Sequence, residues 1–124
     1  SAAPYRVHTR RVRREPIGFV RAVRGRYHVD RIGDAQAISH LILPEISQKA
    51  GFCGSIVAVD DRTGDTFSLS LWTSEAASAA NVSSGWFREQ VAKFDSIYVA
   101  PPVRYDFTQC VHVEGKPGLL PPLP

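Results

Sequence analysis

Residues 52–72 read Phe52-Cys53-Gly54-Ser55-Ile56-Val57-Ala58-Val59-Asp60-Asp61-Arg62-Thr63-Gly64-Asp65-Thr66-Phe67-Ser68-Leu69-Ser70-Leu71-Trp72, and this stretch decides the fold. Its first part is nearly continuous in apolar residues through Ile56, Val57, Ala58 and Val59. Its second part alternates, with Phe67, Leu69 and Leu71 on one side and Thr66, Ser68, Ser70 and Trp72 on the other. A period of two marks a strand. Between the two, Asp60-Asp61-Arg62-Thr63-Gly64-Asp65 has the composition of a hairpin loop, with Gly64 placed to take a positive φ beside the second strand. The unit is an antiparallel hairpin.

Working outward, residues 19–30 also alternate: Phe19, Val23, Tyr27 and Val29 share one face, and Val20, Ala22, Arg24, Arg26 and His28 the other. This is the first strand. Asp34 is placed to cap a helix that carries Ile38, Leu41, Ile42 and Ile46 at helical spacing and stops at Gly51. Pro44 lies inside that pattern and should kink the helix or end its regular part. Beyond the hairpin, Thr73-Ser74-Glu75 opens a second helical region, since a hydroxyl caps the first turn and an acid suits its positive end. That region breaks around residues 81–85 and resumes with Trp86, Phe87, Gln90, Val91 and Phe94 on one face. Pro101 and Pro102 close it, and residues 103–113 alternate again as a last strand through Val103, Tyr105, Phe107, Val111 and Val113. The order βαββαβ predicts an α+β, ferredoxin-like subunit with an antiparallel sheet.

The chain has 124 residues, 44% hydrophobic and 22% charged, enough for one domain with its own core. No apolar run approaches the length of a membrane span, and the opening residues do not read as a signal peptide, so a cytoplasmic location is expected. The net charge of +3 is the sum of two unlike parts. Nine Arg in residues 1–31 face only Glu15 and Asp30, whereas residues 32–124 are acidic on balance. Residues 1–17 read as a basic arm, 18–114 as the folded domain and 115–124 as a Pro-rich tail. An arm rich in Arg suits phosphates, but only Tyr5 accompanies it and no recognition motif is present, so nucleic acid is not the expected partner. Cys53 and Cys110 fall on the second and fourth strands, opposite edges of the sheet. At about 4.8 Å per strand they are about 14 Å apart, too far for a bridge, and free thiols are expected.

Helices on one side of a four-stranded sheet leave its other face uncovered. The hairpin's apolar residues point both ways, so that face is expected to meet a second copy of the chain, giving a homodimer. The competing reading is a monomer whose open face is covered by the N-terminal arm.

Three runs carry a resemblance. Ala50-Gly51-Phe52-Cys53-Gly54-Ser55, then Val59-Asp60-Asp61-Arg62-Thr63-Gly64, then Ser68-Leu69-Ser70-Leu71-Trp72-Thr73-Ser74-Glu75-Ala76-Ala77 are similar to the antibiotic biosynthesis monooxygenase-like family. The family shows a Gly-Phe-x-Gly strand, an acidic-Gly hairpin and a strand ending in Trp-x-Ser-x-x-Ala. Over residues 18–113 the resemblance implies a dimeric α+β barrel in which two ferredoxin-like subunits pack sheet to sheet. It implies a cofactor-independent monooxygenase acting on a small aromatic, polyketide-like or quinol substrate, with no cofactor. The same fold also hosts non-catalytic small-molecule-binding or accessory dimers and isomerase or cyclase chemistry in the same pocket. Haem-degrading relatives carry an Asn on the first strand and an iron-binding His in the second helical region. Gly25 stands near the first position and residues 74–100 contain no His, which disfavours haem.

The candidate site follows from strand order. The first and third strands are neighbours in this topology, so Arg24, Arg26 and His28 on one are expected beside Ser68, Ser70 and Trp72 on the other. His28 is the candidate base and Arg26 its catalytic partner, stabilising a substrate anion. Arg24, Ser68, Ser70, Trp72 and Trp86 are the substrate-binding candidates, with Trp72 stacking on an aromatic ring. The competing reading is that the Arg and Ser residues simply face water or a subunit seam. His8, His40 and His112 have no metal-site spacing, and no metal is expected.

Overall fold

The computed structural model describes residues 16–113 and 115. The expected basic arm and Pro-rich tail fall almost wholly outside these residues. Strands β1 (Phe19–Arg26), β2 (Phe52–Val59), β3 (Asp65–Trp72) and β4 (Val103–Phe107) form one antiparallel sheet in the order β2-β3-β1-β4. Helix α1 (Ile32–Ile46) connects β1 to β2, and α2 (Glu75–Ser83) with α3 (Trp86–Ala92) connects β3 to β4. This is the ferredoxin-like arrangement.

The hairpin forms as its sequence requires. Gly64 has φ of 83°, and the Asp60 amide donates to the Asp65 carbonyl at 2.8 Å. Gly64 also accepts from the Tyr27 amide at 2.8 Å, and a Cβ added there would collide with the Tyr27 carbonyl. Conformation and close approach both call for glycine. Ser74 caps α2, its hydroxyl accepting from the Ala77 amide at 3.1 Å. Gly85, with φ of 85°, separates α2 from α3.

Three local expectations are corrected. β1 ends at Arg26 rather than near Asp30: Tyr27 makes an isolated bridge to Tyr98, and a 3-10 turn at Val29–Arg31 turns the chain into α1. Asp34 does not cap α1. The helix already runs from Ile32, so Asp34 sits in its first turn and pairs with Arg31 at 2.6 Å. Pro44, which has no amide hydrogen to donate to the His40 carbonyl, stands two residues before α1 ends at Ile46, as expected of a residue that closes the regular part of the helix. β4 stops at Phe107 instead of reaching Val113. Its neighbour β1 has no ladder residues before Phe19, so the chain beyond Phe107 finds no strand to pair with, and Val111 and Val113 are exposed.

Two packed regions hold the sheet to the helices. At one end Tyr27, Ala35 and Ile97 are buried together with Ile38, Phe94 and Tyr98 against them. At the other, Phe19 and Trp72 are buried, and the Phe52 ring meets Trp72 edge-on with centroids 5.3 Å apart. No disulfide joins Cys53 and Cys110. Among the described residues no helix is long and apolar enough to cross a membrane.

Candidate functional site

Register decides which side chains meet. β1 and β3 pair Phe19 with Trp72, Arg21 with Ser70 and Val23 with Ser68. Directly opposed residues in an antiparallel pair share a face, so Arg21, Ser68, Ser70 and Trp72 lie together on the face turned toward the helices. Between that face and the helices is a cavity of about 380 Å³. Arg21, Ser68, Ser70 and, from β4, Arg104 form its floor. Ile42 and Leu43 of α1 and Phe87 and Val91 of α3 supply an apolar wall, and Tyr27 and Tyr98 close one end.

The floor is cationic. Arg21 Nε lies 3.3 Å from Asp106 Oδ1, with its side chain only 10% exposed, and Arg104 Nη2 lies 3.6 Å from Asp106 Oδ2. Two guanidiniums share one carboxylate, which leaves a positive charge on a partly desolvated sheet surface. Trp72 Nε1 donates to Ser70 Oγ at 3.0 Å, which fixes the indole plane. At the closed end, burial, and then the neighbouring Tyr27 phenol, hold the Tyr98 hydroxyl protonated well above the ordinary tyrosine range. Tyr98 is thus a neutral hydrogen-bond donor rather than a base. Because its folded value lies above its unfolded one, the stability tied to this phenol is complete below about pH 10 and falls as pH rises beyond it. Thermal unfolding in alkaline buffers should show this decline, and Tyr98→Phe should flatten it; an unchanged pH dependence in the variant would refute the assignment.

The same register separates the expected site. Arg24 pairs with Phe67 and Arg26 with Asp65, so both stand on the sheet face away from the helices, opposite to Ser68, Ser70 and Trp72. Arg26 Nε binds Asp65 Oδ1 at 3.0 Å in an exposed ion pair, Arg24 borders an open groove with Phe67, and His28 is exposed in the turn after β1. The pocket expected to join the two sets is therefore replaced by one in which Arg21 and Arg104 supply the positive charge. Trp86 does not line the cavity. Its Nε1 donates to Glu45 Oε2 at 3.0 Å and Lys49 Nζ stands 4.4 Å from the ring centroid, so it ties α3 to the end of α1. Arg21 was legible in principle, because it has the parity of Phe19 and Val23 on β1. Arg104 and Tyr98 carry no comparable signal, since their places depend on strand pairing and on the loop before β4.

No family model and no curated protein matches the chain. Solved structures do. The monooxygenase from the gene ActVA-Orf6 of Streptomyces coelicolor, solved with nanaomycin D, matches with a TM-score of 0.67 at 16% identity, over 81% of this chain and 94% of its own. SnoaB, a cofactor-independent oxygenase from Streptomyces nogalater, matches with a TM-score of 0.65 at 11% identity, over 81% of this chain and 100% of its own. An antibiotic biosynthesis monooxygenase matches with a TM-score of 0.65 at 11% identity, over 75% and 99%.

The fold is that of the antibiotic biosynthesis monooxygenases.

In this chain that fold places an arginine-floored, aromatic-lined cavity between sheet and helices. Among the described residues no group of three His, Cys, Asp or Glu is placed to hold a metal ion.

Proposed function

We propose that this protein is a cofactor-independent monooxygenase acting on a small aromatic, polyketide-like or quinol substrate, bound in the cavity of each subunit of a homodimer. The observation that carries the reading is the presence of Arg21 and Arg104 with Trp72 in a cavity whose walls are mostly apolar and aromatic. A planar aromatic fits such walls, and its ionised hydroxyl fits the guanidiniums. Oxygenation of a phenolic ring by dioxygen to a quinone releases one water and needs no external reductant. The substrate anion supplies the electrons, one oxygen atom enters the ring, and the other leaves as water. The protein's share is to favour the anion and keep bulk water away. Arg21 and Arg104 stabilise the oxyanion, Ser68 and Ser70 donate hydroxyl bonds along the floor, and Trp72 lies against the ring. Among the described residues no histidine lines the cavity, so the proton lost by the substrate is assigned to solvent, with acidity set by the guanidiniums.

Oxygen uptake with a panel of polycyclic phenols and quinols tests this. Uptake matched by quinone formation is the expected result. Binding without uptake would make the protein a ligand-binding or accessory dimer, and turnover under argon would make it an isomerase or cyclase.

The homodimer reading rests on the sheet's other face. Ile56, Phe67, Val103, Tyr105 and Phe107 stand there at 42–59% exposure, beside Arg24. An apolar face of this kind is costly in water and suits self-association. Ile56→Glu, opposite Leu69 on that face, places two unpaired carboxylates in a two-fold seam and should weaken the dimer by about 100-fold or more. Sedimentation of wild type and variant measures it, and a monomeric wild type would overturn the reading.

A further inference from the structure

Helix α2 has its polarity inverted. Ala76, Ala79 and Ala80 are exposed, while Ser78 and Asn81 are 1% and 6% exposed. The two polar residues are three apart, so they lie side by side on one helix face, with β-carbons roughly 5–6 Å apart. Both line the cavity. Neither Ser78 Oγ nor Asn81 Oδ1 has a hydrogen-bond partner among the described residues. A helical serine ordinarily returns its hydroxyl to a carbonyl in the preceding turn. Ser83 does so to Ala80 and Ser84 to Asn81, whereas Ser78 does not. Two buried, unmatched polar atoms are a stability cost that an alanine and a leucine would avoid, and their presence at a cavity wall calls for a ligand group that matches both.

We infer that Ser78 and Asn81 form a hydroxyl-recognition edge on the helix side of the cavity. One ligand hydroxyl donates to Asn81 Oδ1 and accepts from the Ser78 hydroxyl. This rests on the reading of the cavity as a site for hydroxylated aromatics and narrows it. The ligand carries an ionisable oxygen at one edge, for Arg21 and Arg104, and a second, neutral hydroxyl at the edge facing α2. A fused-ring diol meets both demands and a monophenol meets one.

Calorimetric binding of two probes separates the cases: a dihydroxynaphthalene with one hydroxyl on each ring, and the naphthol lacking the second hydroxyl. Wild type should bind the diol about 10-fold more tightly than the naphthol. Ser78→Ala should lose about threefold of that preference, and Ser78→Ala with Asn81→Leu nearly all of it, with naphthol affinity within about twofold of wild type. The unliganded double variant should melt no lower than wild type, since it removes unmatched polar atoms. A preference that survives the double substitution, the absence of any preference in wild type, or a lowered melting temperature that reveals a structural partner would each overturn the inference. Wild type binding neither probe would overturn the aromatic-site reading beneath it.

Discussion

Trp72→Ala should lower the free energy of unfolding by about 3–5 kcal/mol, the cost of emptying a large aromatic site in a core that relaxes only in part. Trp72 is 2% exposed and is packed edge-on by Phe52. It stands where β3, paired with β1 and β2, passes into α2. A domain of this size holds only about 5–15 kcal/mol in all, so the variant should unfold at a much lower urea concentration. Trp86 remains as the fluorescent reporter, and far-ultraviolet circular dichroism gives an independent transition. Trp72→Phe keeps most of the buried ring and loses the Nε1 bond to Ser70, so it should fall between the two. A midpoint in Trp72→Ala equal to wild type would show that the indole does not hold the sheet to the helices.

Arg21→Leu should reduce oxygenation kcat by about 100-fold, the scale seen when one preorganised group facing a developing negative charge is removed. KM should change far less, since apolar walls and Trp72 supply most of the binding. Stability should change little, because Asp106 keeps Arg104 as a partner. Arg21→Lys restores the charge without the planar fork and should recover only part of the rate. Steady-state oxygen uptake on the best phenolic substrate, with urea midpoints alongside, distinguishes these effects. An unchanged kcat in Arg21→Leu would remove the floor cation from the chemistry.

These two positions also show how far the sequence could be read. The hairpin, its Gly64 turn, the Ser74 start of α2 and the break before α3 all rest on local rules of backbone conformation, and the structure contains each of them. The candidate pocket rested on adjacency of β1 and β3, which is also observed. It went astray on parity. In β1 the row of Arg24, Arg26 and His28 holds most of the charge and invites placement beside Ser68, Ser70 and Trp72. Register instead sets the row of Arg21 and Val23 opposite Ser70 and Ser68 and leaves Arg24 opposite Phe67 on the open face. A sheet with helices on one side and an apolar surface on the other cannot be oriented from the alternation alone.

By itself, then, the sequence determined the element order and the ferredoxin-like class, because helical and strand periodicity, caps and turn residues act within a few positions of one another. It also identified Ser68, Ser70 and Trp72 as neighbours along one side of a strand, which is a property of the pleat. Only the tertiary structure decided which cations join them. Arg21 and Arg104 meet over Asp106 through pairing across some 80 residues of chain, and a shift of one residue in that register would have brought Arg24 to the helices instead.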